Sequence, residues 1–177
     1  CFIFCFRGGL RSKIAYHWIS QEGVSVERLE FGYKNYRQNV LMMHQDINNY
    51  TERWIILGGY TGSGKTDLIK NYKQSIDLEF IANHRGSAFG KTGGDQPSQS
   101  NFESLVSEQY LLKQSSDFLL IEDESRFIGR AQLPGKWYDK MQISEIILLE
   151  SDLENRATNI YFNYVKNPGK SKLKMIE

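Results

Sequence analysis

An α/β fold in two parts, a small leading unit and then a parallel sheet flanked by helices, is what this chain of 177 residues predicts. Three observations carry that expectation. Continuous apolar runs such as Trp54-Ile-Ile-Leu57 and Phe118-Leu-Leu-Ile121 have the length and all-apolar character of parallel strands covered on both faces. They alternate with stretches of helical periodicity, as βαβ units do. Two loops, Cys5-Phe-Arg-Gly-Gly-Leu-Arg-Ser12 and Gly59-Tyr-Thr-Gly-Ser-Gly-Lys-Thr66, each leave a strand and open a helix.

In chain order, residues 1–4 read as a buried strand, with Cys1 in the core. Ser12 is placed to cap a helix to about residue 20, with Ile14, Ala15, Trp18 and Ile19 on its apolar face. Residues 24–29 read as a short strand and 32–44 as a helix. Periodicity is lost over 45–52, so the boundary is drawn as 1–48 and 49–177. A strand at 53–57, the second loop, a helix from Lys65 to Tyr72 and a short strand at 75–78 follow. Residues 84–100 are rich in Gly, Ser and Gln and read as a long loop of the kind that usually serves function. A helix at 102–112, strands at 118–121 and 143–149, a helix from Asp152 and a basic end, Lys166-Asn-Pro-Gly-Lys-Ser-Lys-Leu-Lys174, complete the chain.

Composition narrows the function classes. The chain is 40% hydrophobic and 24% charged, enough to bury a core, and its net charge of +1 excludes a polybasic nucleic-acid binder. Contacts with nucleic acid must then come from local patches: Lys34, Arg37, Arg126, Arg130 and the basic end are the candidates. No run of about 18 apolar residues is present, so no membrane contact is expected. Cys1 and Cys5, four apart on an extended segment, stand roughly 13 Å from each other, too far for a disulfide. A reducing cytoplasm is the expected setting. Cys1-Phe-Ile-Phe-Cys5 lacks the basic leader of a signal peptide, and with no initiator methionine the chain reads as a fragment.

Gly59-x4-Gly64-Lys65-Thr66 is a phosphate-binding P-loop, placed between a strand and a helix as the motif requires. Gly59, Gly62 and Gly64 let backbone amides, Ser63 among them, approach a phosphate; Lys65 meets the terminal phosphates and Thr66 holds Mg²⁺. Glu122-Asp123-Glu124, just after the strand at 118–121, supplies the partner carboxylates, with Glu122 and Asp123 as the metal candidates. The motif implies a polyphosphate pocket; it does not by itself imply nucleotide hydrolysis.

Cys5 closes one strand and Ser12 starts a helix, a setting that holds anions and lowers a thiol pKa. Arg7 and Arg11 add positive charge, and Gly8 and Gly9 permit a tight loop. A thiolate, persulfide or selenide on Cys5 would be well held there. Cys-x5-Arg is also the spacing of cysteine phosphatases, so spacing leaves both chemistries open.

Taken with Phe31-Gly-Tyr-Lys34, Gly58-Gly-Tyr-Thr-Gly-Ser-Gly-Lys-Thr66, Asp77-Leu-Glu-Phe-Ile-Ala-Asn-His-Arg-Gly-Ser-Ala-Phe-Gly90 and Ile121-Glu-Asp-Glu-Ser-Arg-Phe-Ile-Gly129, in that order, the chain resembles the tRNA 2-selenouridine synthases over about residues 1–150. The resemblance implies the C-terminal part of a rhodanese-like domain followed by a P-loop NTPase-like domain, truncated at its end. It implies a transferase that S-geranylates wobble 2-thiouridine of tRNA with geranyl diphosphate and then exchanges sulfur for selenium from selenophosphate. An enzyme producing selenophosphate would act upstream. Cys5 matches the rhodanese cysteine and Lys65 the P-loop lysine, while His84, Arg85, Ser87 and Arg126 fall at possible substrate or tRNA contacts. Two other readings stand beside this one: a P-loop kinase or NTPase fused to a cysteine phosphatase-like or sulfurtransferase module, and a non-catalytic RNA-binding module.

Overall fold

The computed structural model describes residues 1–85, 94–113 and 117–166, the side chains of 163–165 excepted. The chain divides into two compact units, Cys1–Gln45 and a second that begins at Asp46.

In the first unit β1 (Phe2–Ile3) pairs in parallel with β2 (Glu27–Arg28), connected by α1 (Leu10–Gln21), and α2 (Gly32–Gln45) follows. The turn into α2 crosses the cysteine loop at backbone contact. A Cβ on Gly32, whose φ is +68°, would lie 2.1 Å from the Cys5 carbonyl oxygen. Only glycine fits there. The first amides of α2 then bond to that loop, Tyr33 N–H to Cys5 O at 3.1 Å and Lys34 N–H to Phe6 O at 2.9 Å. This gives Phe31-Gly-Tyr-Lys34 a structural role: it clamps the loop that carries the thiol.

Two expectations are corrected in this unit. Cys1 is exposed rather than in a core, because the strand is two residues long and pairs on one side alone. Ser12 does not cap α1; Gly9 occupies that position and Ser12 is buried inside the first turn.

The second unit holds a four-stranded parallel sheet, β3 (Arg53–Gly58), β4 (Ser75–Ile76), β5 (Phe118–Glu122) and β8 (Glu145–Leu148), in the order β4-β5-β3-β8. A 3₁₀ turn (Ile47–Asn49), α3 (Lys65–Asn71), α4 (Leu78–Ala82), α5 (Gln99–Lys113), the antiparallel hairpin β6 (Phe127–Ile128) and β7 (Ala131–Gln132), α6 (Gly135–Ile143) and α7 (Leu153–Ile160) surround it. Alternation along the strands sorts the core. Ile55, Leu57 and Leu120 meet Ile69 of α3 on one face. On the other, Trp54 packs on Trp137 of α6 at 4.8 Å and Tyr110 of α5 at 6.2 Å between ring centroids.

The expected strand at 143–149 is shorter: α6 runs to Ile143, and all four residues of β8 are exposed rather than covered. Among the described residues it is an edge strand, paired with β3 alone. The hairpin and α6 were not expected from sequence. Among the described residues no helix is long and apolar enough to cross a membrane.

Candidate functional site

The P-loop turns from β3 into α3 with Gly64 at the helix cap in the left-handed region, φ +97°. Lys65 folds back, its Nζ donating to Gly59 O at 2.6 Å. A helix far along the sequence rests on the same loop. Arg156 of α7 donates from Nε to Thr61 O at 3.1 Å, and Asn159 donates from Nδ2 to Gly62 O at 2.8 Å. The Arg156 guanidinium lies 4.7 Å over the Tyr60 ring. A Cβ on Gly62, φ +82°, would stand 2.6 Å from Arg156 O, so glycine is needed for that approach.

Beside the loop lies a cavity of about 490 Å³. One wall is the P-loop from Thr61 to Thr66, with Lys70 beyond it. The facing wall is α4 and the turn Asn83-His84-Arg85, and Glu122 to Ser125 form the strand-end side. α4 is held by Asp77, whose carboxylate accepts from Phe80 N–H at 2.8 Å. Asn83 ends it in the left-handed region, φ 48°, so that the chain turns sharply and His84 N–H bonds to Glu79 O at 3.0 Å. Gln96 ties this turn to the hairpin, donating to Ala82 O and Ile128 O at 3.1 and 2.9 Å.

The structure thus gathers Gly62, Ser63, Gly64, Lys65, Thr66, Glu122, Asp123, His84 and Arg85 around one space. Gly59 sits beneath it as the acceptor for Lys65. Arg126 is not part of its lining, and Ser87 lies outside the described residues, as does the basic end beyond Lys166. Glu79, Phe80, Arg156 and Asn159 were not singled out from sequence. Nothing local marks Arg156 or Asn159, which reach the loop across more than ninety residues.

Charge is concentrated at the strand end. Glu122 is 1% exposed and its Oε2 has no hydrogen-bond partner among the described residues. Burial pushes its carboxyl up to about 9, with Glu79, Asp77 and Glu124 acting in the same direction and Lys65 against them. Burial, then Glu79, raises Glu124 to about 7, and the two share a hydrogen bond. Carboxylate oxygens of Glu79, Glu122 and Glu124 lie within 4.8 Å of one another. Asp123 stands outside that convergence; its Oδ2 faces Gly58.

In the first unit Cys5 Sγ lies 3.3 Å from Ser12 Oγ, which itself reaches Gly9 O at 3.1 Å. The Ser12 hydroxyl lowers the Cys5 thiol to about 7 against the opposing effect of burial, with smaller help from the amides of Ser12, Gly9 and Arg7. Arg28 donates to Gly8 O at 2.9 Å and steadies the loop. Arg7 and Arg11 are exposed. The lowered pKa enlarges the fraction present at neutral pH as thiolate, the form that acts as a nucleophile.

Residues 52–176 match the family model described as the tRNA 2-selenouridine synthase AAA domain. A tRNA 2-selenouridine synthase of Shewanella denitrificans is 43% identical over 168 residues, 94% of this chain and 46% of that protein. One of Shewanella sp. MR-7 is 43% identical over 93% of this chain and 45% of its own length, and one of Shewanella frigidimarina 41% identical over the same shares. The chain therefore spans about half the length of the curated relatives it matches. No solved structure matches it.

Proposed function

Because the chain belongs to the tRNA 2-selenouridine synthase family, we propose that the protein carrying it converts wobble 2-thiouridine of tRNA to 2-selenouridine in two transfers. In the first, the thiocarbonyl sulfur attacks C1 of geranyl diphosphate. A C–S bond forms, the C–O bond to diphosphate breaks, and the uracil N3 proton is lost. In the second, the selenium of selenophosphate, bound beside the Cys5 thiolate, attacks the pyrimidine C2. The Se–C bond forms, the C–S bond breaks, the geranyl thiolate takes a proton, and the P–Se bond is hydrolysed to phosphate. Alkylating the sulfur is what makes it a competent leaving group.

The observation that carries this reading is the cavity, which joins a P-loop to an apolar rim. Lys65 and the P-loop amides suit a diphosphate, and Phe80, 77% exposed yet on the cavity wall, offers an unused ring for a prenyl chain. Lys65 must leave Gly59 O to meet the leaving diphosphate, a reorientation that its flexible stem permits. Mg²⁺ fits the site, because the strand-end groups facing the cavity are carboxylates and one oxygen, Glu122 Oε2, is buried without a partner among the described residues. Thr66 and Glu122 would hold it, and when bound it would offset the negative charge that develops on the diphosphate. The thiol at Cys5, already lowered to about 7, accounts for the selenium arm.

The test uses the full-length protein with 2-thiouridine tRNA, geranyl diphosphate and selenophosphate, followed by mass spectrometry of the digested nucleosides. The expected products are geranylated and then selenium-bearing uridine, with Lys65→Ala blocking the first and Cys5→Ser only the second. No mass shift, together with steady hydrolysis of ATP, would replace this reading with a P-loop kinase or NTPase.

A further inference from the structure

From the geometry at the end of β5 we infer a divalent-cation site formed by Glu79, Glu122 and Glu124, which binds its ion without any phosphate ester in the P-loop. Two separate observations support it. The first is convergence: carboxylate oxygens from two distant segments, α4 and the end of β5, come within 4.8 Å of one another. The second is the state of Glu122, 1% exposed with Oε2 unpartnered among the described residues. A buried carboxylate oxygen without a donor is costly. A cation is the partner that would satisfy it while also relieving the mutual repulsion of the three groups.

The donor set indicates the class of ion. Three carboxylates with no sulfur or imidazole suit a hard cation, Mg²⁺, Mn²⁺ or Ca²⁺, which would keep several waters as its remaining ligands. Lys65 opposes the charge of Glu122 and Glu124 without outweighing burial and Glu79, and its ammonium donates to Gly59 O. β5 ends at Glu122, and the segment beyond it brings the Glu124 carboxylate to that of Glu122 while Asp123 Oδ2 faces Gly58. Glu79 enters because the Asp77 cap fixes the first turn of α4 above the strand end. The site is therefore independent of which phosphate ester the P-loop accepts, and it stands or falls separately from the geranyl diphosphate reading.

The experiment is a Mn²⁺ titration of the full-length protein, free of nucleotide and diphosphate, followed by the electron paramagnetic resonance signal of free Mn²⁺, with Mg²⁺ as competitor. Wild type is expected to take up Mn²⁺ and release it to Mg²⁺. Glu79→Gln and Glu124→Gln are each expected to weaken binding by at least the ~10-fold typical of losing a residue that only supports a metal ligand, whereas Asp123→Asn keeps wild-type affinity. As a readout that does not depend on the resonance signal, Mg²⁺ should raise the melting temperature of the wild type and not that of Glu79→Gln. Unchanged Mn²⁺ affinity in Glu79→Gln, or loss in Asp123→Asn alone, would overturn the ligand set. So would an absence of uptake by the wild type, with Glu79→Gln merely melting higher. That result would mark the cluster as protonated carboxyls that share hydrogen bonds and no ion.

Discussion

Ser12 and Phe80 decide chemistry at the scale of single side chains. The Ser12 hydroxyl is the first cause of the lowered Cys5 thiol. Replacing it with Ala should return the thiol toward the ordinary value near 8.5. Because the thiolate exists above its pKa, the reactive fraction at pH 7 then falls, and iodoacetamide should alkylate Cys5 roughly tenfold more slowly. The pH profile of alkylation should shift to higher pH in Ser12→Ala and stay in place in Ser12→Thr, which keeps the hydroxyl. An unshifted profile would assign the low pKa to the loop amides. Phe80 is argued differently, from exposure: a ring 77% exposed beside a polar cavity is free to cover an apolar chain. Phe80→Ala should raise KM for geranyl diphosphate about tenfold, the worth of partly burying an aromatic ring, and leave inhibition by inorganic diphosphate unchanged. Cys5, Lys65 and Thr66 were legible because their loops encode their own geometry over eight residues. Glu79 and the role of Ser12 were not. Glu79 depends on a helix of five residues set against a strand forty residues later, and Ser12 lost the capping position to Gly9.

Among elements, α7 shows how a site can be completed by a segment with no motif. It buries no residue fully, so its place is fixed by polar contacts: its Asp152 cap, which accepts from Asn155 N–H at 2.8 Å, and the Arg156 and Asn159 bonds to P-loop carbonyls. Asn159→Ala should cost about 1 kcal/mol of that docking, a roughly fivefold faster hydrogen exchange over residues 153–160, with the sheet amides unaffected. A second element explains why sequence reading missed α6. It is nine residues long and buries only Trp137 and Met141, one turn apart, too few to announce a helical face. Those two nevertheless matter, because Trp137 is fully buried against Trp54 and Tyr110. Trp137→Ala should destabilise the second unit by about 3–5 kcal/mol, read as a lower urea midpoint. The runs at 54–57 and 118–121 were legible as strands for the opposite reason: each is apolar at every position and buried on both faces, apart from half-buried Phe118 at its entry.

At the level of the whole chain, the sheet order β4-β5-β3-β8 sets the P-loop strand beside the acidic strand, so the phosphate and carboxylate groups meet at the carboxyl ends of parallel strands, where such sheets bind ligands. That adjacency was expected from two motifs. Strand order itself was not legible, since pairing partners are chosen by packing over long separations that periodicity does not record. The thiol loop and the phosphate cavity belong to two different compact units, and each is completed by residues of its own unit. Geranylation and selenium transfer, as proposed, therefore do not have to occur on one and the same chain. The intermediate joining them is tRNA bearing a stable S-alkyl group, which can leave one molecule and bind another. Mixing full-length Cys5→Ser with full-length Lys65→Ala should accordingly restore selenium-bearing uridine that neither variant makes alone. The rate should rise with the concentration of the Lys65→Ala partner, because the intermediate must be captured from solution. If nucleoside mass spectrometry instead found geranylated uridine accumulating with no selenium product at any concentration, transfer would require both units of a single chain to act on one bound tRNA.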